Sequence, residues 1–278
     1  MARIKGELNG EFTMTDLGEM KKILGLRVQR DREHGTLNIS QGPYIEIILA
    51  RFNMQDANIV STPLSRSTKP DGPTEPSQIP TTDAPYAKAV GSLMYAALGT
   101  RPDLAFMVQH LSQFTTSYKP EHWTAIKHAL RYLKGTRDDG ITFHKTAGLD
   151  LELFVDADYA NRNDALSIGG YVATLGGGAV AWTSKKQRTV ALSTTEAEYI
   201  SLTEGAKELV LMRRLLQDLG IDQKQPTSIR SDNLSAITIS HDATYHSHET
   251  HQRCLPLRER VASNEAALTF ERRRIRQT

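Results

Sequence analysis

Two short runs in this chain alternate apolar and polar residues and then end on an acid. Leu151-Glu152-Leu153-Phe154-Val155-Asp156 is one, and Thr227-Ser228-Ile229-Arg230-Ser231-Asp232 is the other. Period-two alternation of this kind reads as a half-buried strand. Between them the pattern predicts a long helix from Thr195 to Leu219, stopped by Gly220. Phased at about 100° per residue, Leu202, Gly205, Leu209, Met212 and Leu216 all fall within about 40° of Glu198. Glu198 therefore heads the apolar stripe that faces the sheet. Glu196 falls at about 160°, on the solvent side. Carboxylates brought together in this way repel one another and lose hydration, so they need protons or cations. An all-oxygen donor set without thiolate or clustered imidazole selects hard ions, Mg²⁺ or Mn²⁺. Asp156, Glu198 and Asp232 are thus candidate metal ligands. Asp158 shares strand parity with Asp156, and alternation does not choose between them. The plainer reading has the strand acids ending at turns and Glu198 as a first-turn dipole acid.

The elements that would position these acids follow from the same periodicities. Ile141–Lys145, Leu151–Asp156, Gly170–Thr174 and Ala179–Thr183 read as strands, the last two joined through Gly176-Gly177-Gly178. The long helix, the strand Thr227–Ser231 and a helix beginning near Asn233 complete a mixed α/β layer. Upstream, Tyr86–Leu98, Pro102–Thr115 and Pro120–Lys134 read as helices, with Pro102 and Pro120 at first-turn positions. Thr62 to Pro85 holds six of the eleven prolines, which excludes a helix or an inner strand and marks a connector. Before it lie a predicted hairpin, Ile23–Arg30 with Thr36–Ser40, and a helix at Tyr44–Phe52 after Pro43. That unit is too small to bury much alone and is expected to lack a surface to pack on.

At 278 residues the chain suggests two domains, at about 150 residues each. A net charge of +2 singles out no partner, and the one cysteine, Cys254, excludes a disulfide framework or a cysteine-based zinc cluster. No signal peptide or transmembrane run is present, so no membrane partner and a cytoplasmic or nuclear location are expected. Two basic groups could neutralise phosphates: Lys127, Arg131 and Lys134 on one helical face, and Lys185, Lys186 and Arg188 before the long helix. The alternative for each is a solvated surface. Histidines at 241, 246, 248 and 251 invite a zinc reading but have no cysteine partner. Trp182 alternates with core positions and is expected to pack.

Four blocks carry a family resemblance: Phe154-Val155-Asp156-Ala157-Asp158-Tyr159-Ala160, Ser184-Lys185-Lys186-Gln187, Val190 through Tyr199, and Ser231-Asp232-Asn233-Leu234-Ser235-Ala236-Ile237. In order and spacing they resemble the ribonuclease H domain of copia-type long-terminal-repeat retrotransposons. Met14 through Glu19 and Ile23 through Leu26 resemble the end of that family's reverse transcriptase. Gly91 through Tyr95 and Thr100 through Leu104 resemble the joining segment. The resemblance implies an α/β fold, a ribonuclease H-like mixed sheet with flanking helices, preceded by a helical connector and a small α+β remnant of a reverse transcriptase. The divisions it implies are 1–61 for the remnant, 62–85 for the linker and 86–137 for the connection. Residues 138–270 would be the ribonuclease H-like domain and 271–278 a disordered basic tail. It also implies hydrolysis of the RNA strand of RNA–DNA hybrids by two-metal catalysis, and it selects Asp156 over Asp158. Asp156, Glu198 and Asp232 would hold Mg²⁺ or Mn²⁺, with hybrid nucleic acid and the upstream reverse transcriptase as partners.

Two departures qualify that expectation. The polymerase Tyr/Phe-x-Asp-Asp motif is absent, and Asp138-Asp139 lies in a glycine-bounded turn, so DNA synthesis is not expected. The family's fourth acid, in a Lys-His-Ile-Asp-like run, has no counterpart in His246 through Pro256, where Gln252 or Arg253 takes its place. Glu249 and Asp242 are candidate substitutes. Without one, cleavage should be impaired, and the alternative is a dead or domesticated fragment that only binds nucleic acid.

Overall fold

The computed structural model describes residues 2–15, 18–65, 85–159, 166–241 and 257–271. Most of the proline-rich connector, the run 242–256 with Asp242, Glu249 and three of the histidines, and the tail beyond 271 lie outside the described residues.

A four-stranded antiparallel sheet comprises β1 (Lys22–Ile23), β2 (Leu26–Asp31), β3 (Thr36–Ser40) and β4 (Gly140–His144), in that order. The β2–β3 turn is built locally, with the Asp31 carboxylate accepting the Glu33 and His34 backbone N–H groups at 2.9 Å each. The position of β4 corrects the expected grouping. Local alternation assigns it to the strands that follow, but it pairs with β3, matching Ile141 to Ile39 and Phe143 to Leu37. A Cβ on Gly140 would lie 2.2 Å from the Ile39 carbonyl oxygen, so only glycine permits this approach. The second sheet therefore starts after β4.

A second correction concerns the N-terminal hairpin and helix, which do have a surface to pack on. After an N-terminal helix, α1 (Ala2–Glu11), helix α2 (Gly42–Arg51) sends Ile45, Ile48 and Leu49 into one apolar core with α3 (Tyr86–Gly99), α4 (Ala105–Ser112) and α5 (Pro120–Gly135). Each fully buried aliphatic side chain there contributes about 2 kcal/mol. Pro102 opens a short 3₁₀ turn, Pro102–Leu104, before α4, so the predicted single helix is divided and shorter.

The second sheet has five strands: β5 (Glu152–Asp158), β6 (Ile168–Leu175), β7 (Gly178–Lys186), β8 (Thr227–Ser231) and β9 (Ala266–Phe270). Their order is β7-β6-β5-β8-β9, with β6 antiparallel to both neighbours and the pairs β5–β8 and β8–β9 parallel. This is a ribonuclease H-like mixed sheet. Gly176 and Gly177, at φ +61 and +80, make the β6–β7 turn that side chains would strain. Helix α6 (Thr194–Asp218) lies across the sheet, seated where Gly205 meets Leu153 and Val155. Leu153, Val155, Leu202, Leu209 and Ile229 form the core beneath it. Trp182 packs as expected, its indole N–H donating to the Ala97 carbonyl at 2.9 Å and tying β7 to α3. No helix among the described residues is long and apolar enough to cross a membrane.

Candidate metal centre

The parallel pairing of β5 with β8 sets the first two acids. Its register runs from Glu152 opposite Ser228 to Phe154 opposite Arg230. Continued past the end of the ladder, the same register brings Asp156 level with Asp232. Asp232 lies in the turn into α7 (Leu234–His241), where Asn233 caps the helix by accepting the Ala236 N–H at 2.9 Å.

The third acid comes from the start of α6. Ser193 caps that helix by accepting the Glu196 N–H at 3.1 Å, and the Glu196 carboxylate reaches back to the Leu192 N–H at 2.8 Å. Glu196 is thus the first-turn acid facing the helix dipole. Glu198, further along the turn, points inward and is 2% exposed. Oxygens of Asp156, Glu198 and Asp232 lie within 4.8 Å of one another, and Asp158 is not in the group. Beneath them, Ala157, Ala191 and Ala197 form a small apolar floor. Burial is graded: Glu198 is enclosed, Asp232 is half-buried and Asp156 faces solvent. Three hard oxygen donors at this spacing, without thiolate or imidazole, fit a divalent cation of the Mg²⁺ class.

No protein-family model matches the chain. The retrovirus-related Pol polyprotein from transposon TNT 1-94 of Nicotiana tabacum is 44% identical over 260 residues, covering 90% of this chain and 19% of that protein. The corresponding polyprotein from transposon RE2 of Arabidopsis thaliana is 37% identical over 88% of this chain and 16% of its own length. The putative transposon Ty5-1 protein YCL074W of Saccharomyces cerevisiae is 32% identical over 209 residues, 74% of this chain and 67% of that protein. This chain belongs to the copia-type retrotransposon Pol polyproteins. It spans less than a fifth of the two plant polyproteins. Among solved structures, the ribonuclease H1 LC11 in complex with an RNA/DNA hybrid aligns over 45% of this chain and 85% of its own, at 15% identity and a TM-score of 0.32.

Within this copia-type Pol segment the two basic groups differ. Arg131 donates to the Asn58 carbonyl at 2.6 Å and Lys134 to the Ala57 carbonyl at 2.9 Å, while Lys127 sits 5.9 Å from the Trp123 ring. Two of these three cations hold the segment after α2 in place. Lys185, Lys186 and Arg188 instead line a groove of about 940 Å³ between β6, β7 and α6, opposite Glu204 and Glu208. In that groove the Tyr171 hydroxyl donates to Glu208 at 2.9 Å, and burial together with Glu208 pushes the phenol pKa well up.

Residue-type reasoning passed over Gln187, which stands in a motif block without an assigned task. Its signal was an amide with no surface role beside two lysines. It is 8% exposed and bonds to α6 through Ala197 and Ser201.

Proposed function

We propose that the β5–β9 unit of this Pol segment is a ribonuclease H-type endonuclease that hydrolyses the RNA strand of RNA–DNA hybrids. The observation that supports this most is the meeting of three carboxylates from a strand, a turn and a helix within 4.8 Å, open to solvent at Asp156. In this reading Asp156, Glu198 and Asp232 hold Mg²⁺ or Mn²⁺. A divalent cation, when bound, supplies an acidified water and a counter-charge for the scissile phosphate. The chain's own groups supply the geometry. Buried Glu198 fixes the inner side of the site, Asp232 is set by the β8–α7 turn, and exposed Asp156 meets the substrate. Lys185, Lys186 and Arg188 neutralise backbone phosphates along the adjacent groove, and Lys127 does so from α5. Residues 1–61 are assigned to the end of the reverse transcriptase, 62–85 to a linker and 86–137 to the connection, with the upstream polymerase as a partner.

The test is hybrid cleavage by the purified chain in Mg²⁺ and in Mn²⁺, beside an Asp156→Asn control. We expect weak cleavage, stronger in Mn²⁺, because a site lacking the family's fourth acid favours the more tightly bound ion. The control should be inactive. Hybrid binding without cleavage in either ion would establish the binding-fragment alternative.

A further inference from the structure

The acid cluster depends on where the start of α6 stands, and one side chain outside the cluster is hydrogen-bonded to it. Gln187 leaves β7 and donates its backbone N–H to the Ser167 carbonyl at 2.8 Å, which ties it to the residue before β6. Its side-chain nitrogen directs both hydrogens at α6, to the Ala197 carbonyl at 2.8 Å and the Ser201 hydroxyl at 3.1 Å. Ala197 immediately precedes Glu198, and it packs with Ala157, the neighbour of Asp156. Ser201 presses on β6, because a Cβ added at Gly169 would lie 2.2 Å from its oxygen. A single residue therefore links the β7 exit to the entry of β6 through its backbone and to the turn that carries Glu198 through its side chain.

Stability is only part of what a glutamine brings to this place. Its Oε1 is buried and has no hydrogen-bond partner among the described residues. An orphaned buried acceptor is destabilising and offsets part of what the two donated hydrogen bonds contribute. Two directed donors, and not burial, are what glutamine adds. We propose that Gln187 is a positioning residue that holds Glu198 in register with Asp156 and Asp232 and so sets the affinity of the acid cluster for its divalent cation. This rests on the reading of the three acids as a cation site.

The test compares the full chain with Gln187→Met, which keeps length and removes both donors. Four quantities are read: thermal midpoint, Mn²⁺ affinity by paramagnetic resonance without nucleic acid, and the kcat and KM of hybrid cleavage. Changes to the supports of metal ligands cost about 10–100-fold in affinity. We expect a modestly lowered midpoint, Mn²⁺ binding weakened about tenfold at temperatures well below it, and a fall in kcat partly recovered by more Mn²⁺. The KM for hybrid should stay within about twofold. Unchanged Mn²⁺ affinity and kcat in the variant would overturn the role of Gln187 while leaving the cation site standing. Absence of Mn²⁺ binding by the wild type would overturn both. If Gln187→Met fails to fold, Ser201→Ala removes one acceptor and spares the Ala197 bond; a smaller loss of Mn²⁺ affinity supports the proposal and no loss overturns it.

Discussion

The two sheets of this molecule handle charge in opposite ways. In the β1–β4 unit and its helices, several cations end on internal partners. Arg101 is 2% exposed, and its guanidinium donates to Asp103 and to the Thr136 carbonyl and hydroxyl. Burial alone would lower its pKa, yet Asp103 and Tyr132 beside it hold it above the ordinary value. Arg131, Lys134 and His128 end on the carbonyls of Asn58, Ala57 and Thr62. In the β5–β9 unit, three like charges are brought face to face instead. Where charges are matched internally the arrangement serves the fold. Where acids converge, the arrangement runs against stability and is compatible with a divalent cation.

The largest expected effect tests the second half of that contrast. Glu198→Gln should lower hybrid cleavage by about 100-fold or more, equivalent to about 2.7 kcal/mol at 1.36 kcal/mol per decade. Its thermal midpoint should hold or rise, because a buried like charge is removed. A lower midpoint with activity retained would mean that Glu198 serves the fold. The first half is tested by Arg101→Met, which leaves Asp103 and the Thr136 groups without their shared donor. Urea unfolding should show a loss of about 3 kcal/mol, while cleavage per folded molecule stays unchanged.

The basic groups sharpen the comparison. Replacing Lys185, Lys186 and Arg188 together by alanine should weaken hybrid binding and reduce its salt slope by about 2–3. Replacing Arg131 and Lys134 should leave that slope intact and cost stability instead, about 1 kcal/mol for each lost hydrogen bond. Equal effects on the slope would show that both faces bind phosphate. The smallest effect is expected at Tyr171, whose phenol is held protonated by burial and Glu208 above its ordinary value of 10.0. A raised folded-state pKa contributes stability that is complete below the unfolded value and declines as pH rises beyond it. Wild type should therefore lose midpoint above pH 10.0 more steeply than Tyr171→Phe, and parallel curves would refute this.

The acid cluster and most of the second sheet were legible because burial leaves a local imprint. Alternation placed Asp156 and Asp232 at strand ends, and helical phasing turned Glu198 inward, where it is buried, while Glu196, expected on the solvent side, is half-buried in the helix cap. The motif blocks chose Asp156 over Asp158, which parity leaves equivalent. Other features could not be read in this way. A strand's alternation is the same whichever edge it joins, so the pairing of β4 with β3 was hidden, and Ala266–Phe270 was too short and plain to declare itself as β9. Long side chains have no fixed destination in a spacing rule. Lys127, Arg131 and Lys134 share a helical face with the look of a phosphate-binding stripe, yet the segment after α2 passes close enough to take two of them. Gln187 shows the same limit from the other side, because its amide acquires a task only when α6 comes down on β6 at Gly169. Residue order determined which groups would be buried and on which face, since that depends on neighbours a few positions away. Which buried groups meet depends on contacts distant in the chain, and only the tertiary structure decided those.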